Sequence, residues 1–396
     1  MRINPTLALC AAAALLEGFD NQSMGVAAPR VIAEFGLSAA QAAVIFSSAT
    51  FGLFLGAAIG GRIADTLGRK RALIVSLLLF GCCSLFTATA SGAQSLIAAR
   101  LLTGLGLGGA MPNFISLASE STQAHQRISV VTLIMAAMPF GGALAGLVSV
   151  GARLGLDWRW IFAIGGAAPI IIAILMRYLL PESRQITGTG QAGGAPRIES
   201  VAASLFGSDR AATTLLLWAA FFFTQLVLLL MLNWLPSLIG GLGFSRTQAS
   251  WTSVCFNLGG SMGAGLLGRL HAGERRRRWV LMTYIGMAAA LAAVASVGKI
   301  FAVAALACAV AGVFIVGAQL ILFALAPLYY RTAIRGTGVG AAVAVGRLGS
   351  VVGPLFAGGL LAGGSGSAAV LLAIVPFVAV GGSAALALTW RKQCSE

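Results

Sequence analysis

The chain has 396 residues, of which 58% are hydrophobic and only 9% charged, against about 25% charged in a soluble globular protein. That balance leaves no room for a sizeable soluble domain and selects a polytopic membrane protein. A formal net charge of +15 would point to nucleic acid in a soluble chain, with Arg275–Arg278 as its footprint, but the placement of charge gives a different account.

The first apolar run, residues 6–28, carries two acids, Glu17 and Asp20. At about 20 residues it is long enough to cross a ~30 Å hydrocarbon layer as a helix. Acids at that depth are costly, so they line a pathway or bind a partner. On a helix, Glu17, Asp20, Asn21 and Met24 stand at i, i+3, i+4 and i+7 and share one face, with Gly18 leaving room for a close neighbour. The other reading of the acids is a buried structural pair. The run is too long for the apolar core of a signal peptide, and it has no small-residue cleavage site before the polar turn expected at 30–34. It reads as a retained span.

Apolar runs bounded by charge or by Gly, Pro and Ser clusters predict twelve spans: 6–28, 40–61, 71–92, 95–119, 128–151, 158–180, 211–238, 247–268, 279–298, 300–327, 337–362 and 368–390. With the N-terminus inside, 19 of the 26 Lys and Arg fall in inner segments and five in outer loops, while Arg100 and Arg347 lie within spans. The positive-inside rule therefore puts both ends in the cytoplasm, and the basic charge is mostly orientation.

The segment 181–210 is the longest polar stretch, Gly- and Gln-rich at its centre, and reads as a flexible cytoplasmic linker between bundles at 1–180 and 211–396. The halves repeat at a constant shift of 207: Pro29 meets Pro236, Gly36 meets Gly243, Ser38 meets Ser245 and Gln41 meets Gln248. Gly52, Gly56, Gly61 and Arg62 then fall on Gly259, Gly263, Gly268 and Arg269 in the same ungapped register. The expected fold is an all-α membrane protein of twelve transmembrane helices, in two six-helix pseudo-repeats of parallel orientation enclosing a midplane site.

Several polar groups stand out against this background. Arg100 cannot lose its charge inside a span, so it must face a cavity or an acid, an ion pair being the structural alternative. The nearby Gly104, Gly106 and Gly109 satisfy a dinucleotide-binding spacing, but that motif needs a preceding strand, so here the glycines serve helix packing. The seventh span offers Gln225, Asn233 and Trp234 ahead of Pro236, and Asn113 follows Pro112 in the fourth. Arg347 is a candidate to hold a carboxylate by paired hydrogen bonds, with a packing contact at a helix end as the alternative. Asp157-Trp158-Arg159-Trp160 reads as an interfacial aromatic anchor. Six scattered cysteines lack metal-ligand spacing, and His125 and His271 sit in polar loops, so neither a metal nor a cofactor is expected beyond a coupling proton.

The stretch Gly61-Arg62-Ile63-Ala64-Asp65-Thr66-Leu67-Gly68-Arg69-Lys70 resembles the signature loop of the major facilitator superfamily. In the second half Ala272 takes the place of Asp65, so the resemblance puts charge-locking of an inner gate on the first copy. Glu120 and Arg127 look like the family's gate pair. Glu17-Gly18-Phe19-Asp20, the glycines from Gly104 to Pro112-Asn113, Asn233-Trp234-Leu235-Pro236, and Gly346-Arg347-Leu348-Gly349 to Gly353-Pro354 together resemble the aromatic acid:proton symporters of that superfamily. Within it, the Glu17 form of the first-helix signature is similar to that of hydroxyphenylpropionate transporters. The resemblance implies an inner-membrane importer that couples uptake of an aromatic carboxylate to protons; the placement of charge sets nucleic acid aside, and a monomer is expected. An apolar pocket with a fixed cation, Arg100 or Arg347, suits such an anion, with Asn21, Asn113, Gln225, Asn233 and Trp234 as further substrate-binding candidates, and the Glu17/Asp20 pair is the expected proton carrier. The alternative is a proton-coupled exporter of drugs or metabolites on the same fold, although Met138-Pro139-Phe140-Gly141-Gly142 lacks the fifth-helix pattern typical of exporters.

Overall fold

The computed structural model describes residues 5–123, 127–151, 157–180, 205–207, 210–270, 276–331 and 334–391. They form α1 (Pro5–Phe35), α2 (Ala39–Leu67), α3 (Arg69–Ala88), α4 (Ala93–Glu120), α5 (Arg127–Val150) and α6 (Arg159–Leu179). After the segment at 181–204, α7 (Ala211–Gly241), α8 (Arg246–Leu270), α9 (Arg276–Ala295), α10 (Phe301–Leu325), α11 (Arg335–Ala362), α12 (Ser367–Ala373) and α13 (Val375–Leu388) follow. Nine stretches of the described residues are long and apolar enough to cross a membrane. Helices α1, α5 and α8 fall outside that set, α5 contributing a shorter apolar stretch at Ile134–Val150.

Two boundaries differ from expectation. The polar stretch at 30–34 is not a turn: α1 continues through it to Phe35, with Arg30 donating to the Ser149 carbonyl and Glu34 accepting from Arg159. The twelfth span is two helices, α12 and α13, separated at Ile374, where Pro376 lacks the N–H that would bond the Leu372 carbonyl.

The internal repeat has a physical basis. Gly36 and Gly243 both adopt left-handed backbone, with φ of 60° and 96°, which suits the residue without a Cβ. Two residues on, the same reciprocal cap opens the next helix. Gln41 N–H donates to Ser38 Oγ (3.2 Å) and Ser38 N–H to Gln41 Oε1 (2.9 Å), while Gln248 and Ser245 make the same bonds at 3.3 and 2.9 Å.

Packing repeats as well. In the first set α2 packs on α4, α1 on α5, and α3 on α4 and α6; in the second, α8 packs on α10, α7 on α11, and α9 on α10 and α13. Glycines set the closest of these contacts. A Cβ added at Gly52 or Gly56 would stand 2.0 or 2.1 Å from the carbonyl oxygens of Leu101 and Leu105, and at Gly259 or Gly263 within 2.0 or 2.3 Å of those of Ala309 and Val313. Backbones approach this closely only where side chains are absent.

Between the two sets, α2 packs on α11, α5 on α8 and α1 on α7. Ser47 Oγ donates to the Val351 carbonyl (2.9 Å), Ser149 and Ser250 share a hydrogen bond (3.0 Å), and Trp234 Nε1 donates to the Pro354 carbonyl (3.0 Å). All three lie toward the end of the bundle where α2 and α8 begin.

Candidate functional site

Helix α1 brings Glu17, Asp20 and Asn21 to the centre of the assembly, and both acids are buried to 1% exposure. Their surroundings differ. Asp20 receives two hydrogen bonds from Arg100 of α4, Nη1 to Oδ1 at 2.8 Å and Nη2 to Oδ2 at 2.9 Å. This bidentate geometry is the strong form of a carboxylate–guanidinium pair. The Arg100 guanidinium also lies 5.7 Å from the centre of the Phe162 ring. Glu17, one turn inward, has no hydrogen-bond partner for either oxygen among the described residues. The charges that act on it are those of Arg347 and Asp20. Arg347, on α11, directs Nη2 to the sulfur of Met111 on α4 at 3.3 Å, so it reaches across from the second set to the first.

Beside the ion pair lies a cavity with room for little more than a water molecule, lined by Asp20 and Asn21 of α1, Phe46, Ala49, Thr50 and Leu53 of α2, Arg100 and Leu107 of α4, and Leu229 and Asn233 of α7. It sits between the two sets and is mixed in character, with one fixed ion pair among apolar and amide side chains.

The other residues singled out in the sequence divide into two groups. Asn21 and Asn233 line the cavity, Asn233 with its amide donating to the Leu229 carbonyl (2.8 Å). Asn113 and Trp234 do not line it. Asn113 donates to the Gly109 carbonyl of its own helix (2.8 Å), and Trp234 lies edge-on against Phe46 with ring centres 5.0 Å apart. Gln225 is buried one turn inward of Leu229, its Oε1 without a partner among the described residues.

Where α2 ends and α3 begins, Gly61 lies inside α2 rather than in a turn, because the chain reverses on Gly68 alone, at φ 86°. Arg69 opens α3, and Lys70 Nζ donates to the Leu180 carbonyl, joining α3 to the end of α6. The side chains of Asp65, Glu120 and Arg127 fall outside the described residues, as do His125 and His271.

At the opposite end one expectation is overturned. Trp158 is not an interfacial anchor: it is fully buried, and its Nε1 donates to Glu34 at the end of α1, while Trp160 is 52% exposed. Arg159 binds Glu34 (2.7 Å) and Asp157 (2.7 Å) and lies over the Trp158 ring at 4.5 Å. These hydrogen bonds, the Arg159 bond foremost, hold the Glu34 carboxyl below the usual carboxylate range.

Two polar residues that the sequence reading passed over belong to the interface between sets. Gln22 Nε2 donates to the Leu232 carbonyl of α7 (2.9 Å), and Asn257 of α8 donates to Gln22 Oε1 (2.9 Å). The acceptor is available because Pro236, four residues on, has no N–H to occupy it. Gly25 allows the approach, since a Cβ there would stand 2.2 Å from that same oxygen. The signal was present in the sequence: both are amide side chains within apolar runs, as informative as Asn233.

Helices in two similarly packed sets, nine of their stretches among the described residues apolar enough to span a membrane, with a charged cavity between the sets, define a multi-pass membrane transporter. The chain belongs to the Major Facilitator Superfamily, whose family model matches residues 10–354. It is 43% identical over 391 residues, 99% of this chain and 95% of the other, to the 3-(3-hydroxy-phenyl)propionate transporter of Escherichia coli (strain K12). It is 31% identical to the gallate transporter of Pseudomonas putida, over 91% of this chain and 86% of that one. Among solved structures it resembles a D-xylose-proton symporter (TM-score 0.75, 19% identity, 97% of this chain and 96% of that one) and the xylose transporter XylE from E. coli in an inward open conformation (TM-score 0.73, 18% identity, 98% and 96%). The chain is thus a transporter and not an enzyme, with a small molecule as its substrate.

Proposed function

We propose that this protein imports an aromatic carboxylate together with protons across a bacterial inner membrane, as a monomer with both termini in the cytoplasm and without nucleic-acid partners. The observation that carries this reading is the contrast between two acids one turn apart: Asp20 is saturated by Arg100, and Glu17 is buried without a donor. A buried, unpartnered carboxylate is expensive, and either a proton or the nearby Arg347 relieves the cost. Protonating Glu17 frees the Arg347 guanidinium for a substrate carboxylate; when the anion leaves, Glu17 regains Arg347 and gives up its proton. Substrate and proton then travel together by mutual exclusion at one cation.

Asp20 and Arg100 form the fixed wall of the cavity, with Asn21 and Asn233 offering polar contacts to the bound molecule and Asn113 and Trp234 supporting the helices around it. The sets at 1–180 and 211–396, joined by the linker expected at 181–210, rock about the site between them, and the inner-loop residues Gly61, Asp65, Gly68, Arg69, Lys70, Glu120 and Arg127 govern closure on the cytoplasmic side. The aromatic nature of the substrate rests on the relatives carrying hydroxyphenylpropionate and gallate.

The test is uptake of radiolabelled aromatic acids into proteoliposomes, comparing Glu17→Gln with the unaltered protein. A glutamine of the same shape keeps the fold, abolishes accumulation driven by a proton gradient, and preserves exchange of labelled for unlabelled substrate. Gradient-driven accumulation surviving in Glu17→Gln would place the proton elsewhere. Efflux of a preloaded compound on acidifying the outside, with no acid accumulating, would replace import by export.

A further inference from the structure

Helix α7 presents Phe221, Gln225, Leu229 and Asn233 at successive turns, and the outer two line the cavity beside Asp20 and Arg100. Followed inward, the same stripe leads to Gln225 and then Phe221. Phe221 meets Phe323 of α10 edge-on, with ring centres 5.4 Å apart. The two helices run in opposite directions, so Gln225, four residues after Phe221, and Gln319, four residues before Phe323, both lie one turn outward of that aromatic contact. Gln225 is 5% exposed and Gln319 6%. Gln225 Oε1, Gln319 Oε1 and Gln319 Nε2 all lack hydrogen-bond partners among the described residues.

Buried amides are ordinarily satisfied, and leaving three such atoms bare costs more than an apolar side chain would. Two amides serving only to pack the interior would pair with each other or with backbone, and among the described residues these three atoms do neither. The arrangement is that of a site awaiting a small group that both donates and accepts. Gly346 of α11 lies against the side chain of Gln225, where an added Cβ would stand 3.2 Å from its Cγ, and the next residue on that helix is Arg347. Gln225 and the cation therefore lie beside the same stretch of α11.

Resting on the carboxylate reading above, we infer that Gln225 and Gln319 form a recognition subsite for a hydroxyl on the substrate's aromatic ring, at the opposite end from the carboxylate. A phenolic hydroxyl donates to one amide oxygen and accepts from the Gln319 amide nitrogen, with Phe221 and Phe323 as the apolar floor on which the ring edge rests. The preferred substrate is a hydroxylated aromatic carboxylate. Its unhydroxylated analogue leaves the amides bare, and sites built to bond a hydroxyl discriminate strongly against analogues without one.

The experiment measures KM and maximal rate for 3-(3-hydroxyphenyl)propionate and 3-phenylpropionate in proteoliposomes with the unaltered protein, Gln319→Leu and Gln225→Leu. The expected result is a preference for the hydroxylated acid in the unaltered protein. Each variant raises the KM for that acid about tenfold or more and leaves the KM for phenylpropionate unchanged or lower. Equal changes for both acids, or an intact preference, would overturn the subsite. If one leucine variant does not fold, the other and Gln319→Asn, which withdraws the amide by one methylene, decide the matter by the same ratio. Failure of the unaltered protein to carry either acid would instead bring down the carboxylate reading on which the subsite stands.

Discussion

Asp20 and Arg100 stand 80 positions apart, and their pairing illustrates what single residues in this protein can and cannot reveal. An arginine within a span must find an acid or a cavity, and that much is legible from its charge. Which acid it finds is set by how α1 and α4 cross. Glu17 and Asp20 read alike in the sequence, one turn apart on one face, and only the packing of α4 and α11 separates them into a paired acid and a bare one. The pair makes a direct prediction. Asp20→Asn or Arg100→Gln leaves one buried group of the pair without its counterpart and destabilises the protein by about 3–5 kcal/mol. The double variant Asp20→Leu/Arg100→Met removes both charges and recovers most of that loss, though not transport. Thermal unfolding in detergent measures the stabilities, and a double variant no better than the singles would mean that the two side chains do not act as a unit.

At the scale of helices, the helical segments were legible because apolar length is a strong signal, and nine stretches of the described residues are long and apolar enough to cross a membrane. The departures have local causes. Helix α1 outruns its apolar segment because Arg30 and Glu34 find partners at its end, and the last span breaks at a proline visible in the sequence whose effect depends on its register. Trp158 was misread because its neighbours are charged, whereas the fold buries it beneath Arg159. Small residues give the next prediction. A Cβ at Gly104 would stand 1.9 Å from the Ala49 carbonyl, while Gly359 has open space around it. Gly104→Ala forces α2 and α4 apart at a cost of about 1–3 kcal/mol, lowering the melting temperature of the purified protein. Gly359→Ala, on an open face of a helix, leaves it unchanged or raises it. Equal melting temperatures for the two variants would show that the α2–α4 contact relaxes freely.

Across the whole molecule, the repeat of 207 residues is what made the architecture readable, since the same glycine turn, the same cap and the same glycine contacts recur in both sets. The contacts between sets were not readable, because no local pattern specifies which serine of α5 meets which of α8. Their position predicts how the protein is stopped. Ser149→Cys with Ser250→Cys, in a background lacking the native cysteines, places two thiols where two hydroxyls now share a 3.0 Å hydrogen bond. Oxidation joins α5 to α8 and arrests uptake, and reductant restores it. Undiminished uptake by the cross-linked protein would mean that this end of the interface stays closed throughout the cycle.

The carbonyl of Leu232, released by Pro236 and taken by Gln22, has a kinetic consequence. If α1 and α7 part during each cycle, this bond and the Asn257 bond behind it break and re-form with every molecule carried, exchanging protein partners for water. Each such exchange is nearly neutral once complete, but it carries its full strength at the moment of separation. A proline that disturbs one helix therefore acts as a brake on the other, and the tempo of the transporter is written partly in an amide it does not possess.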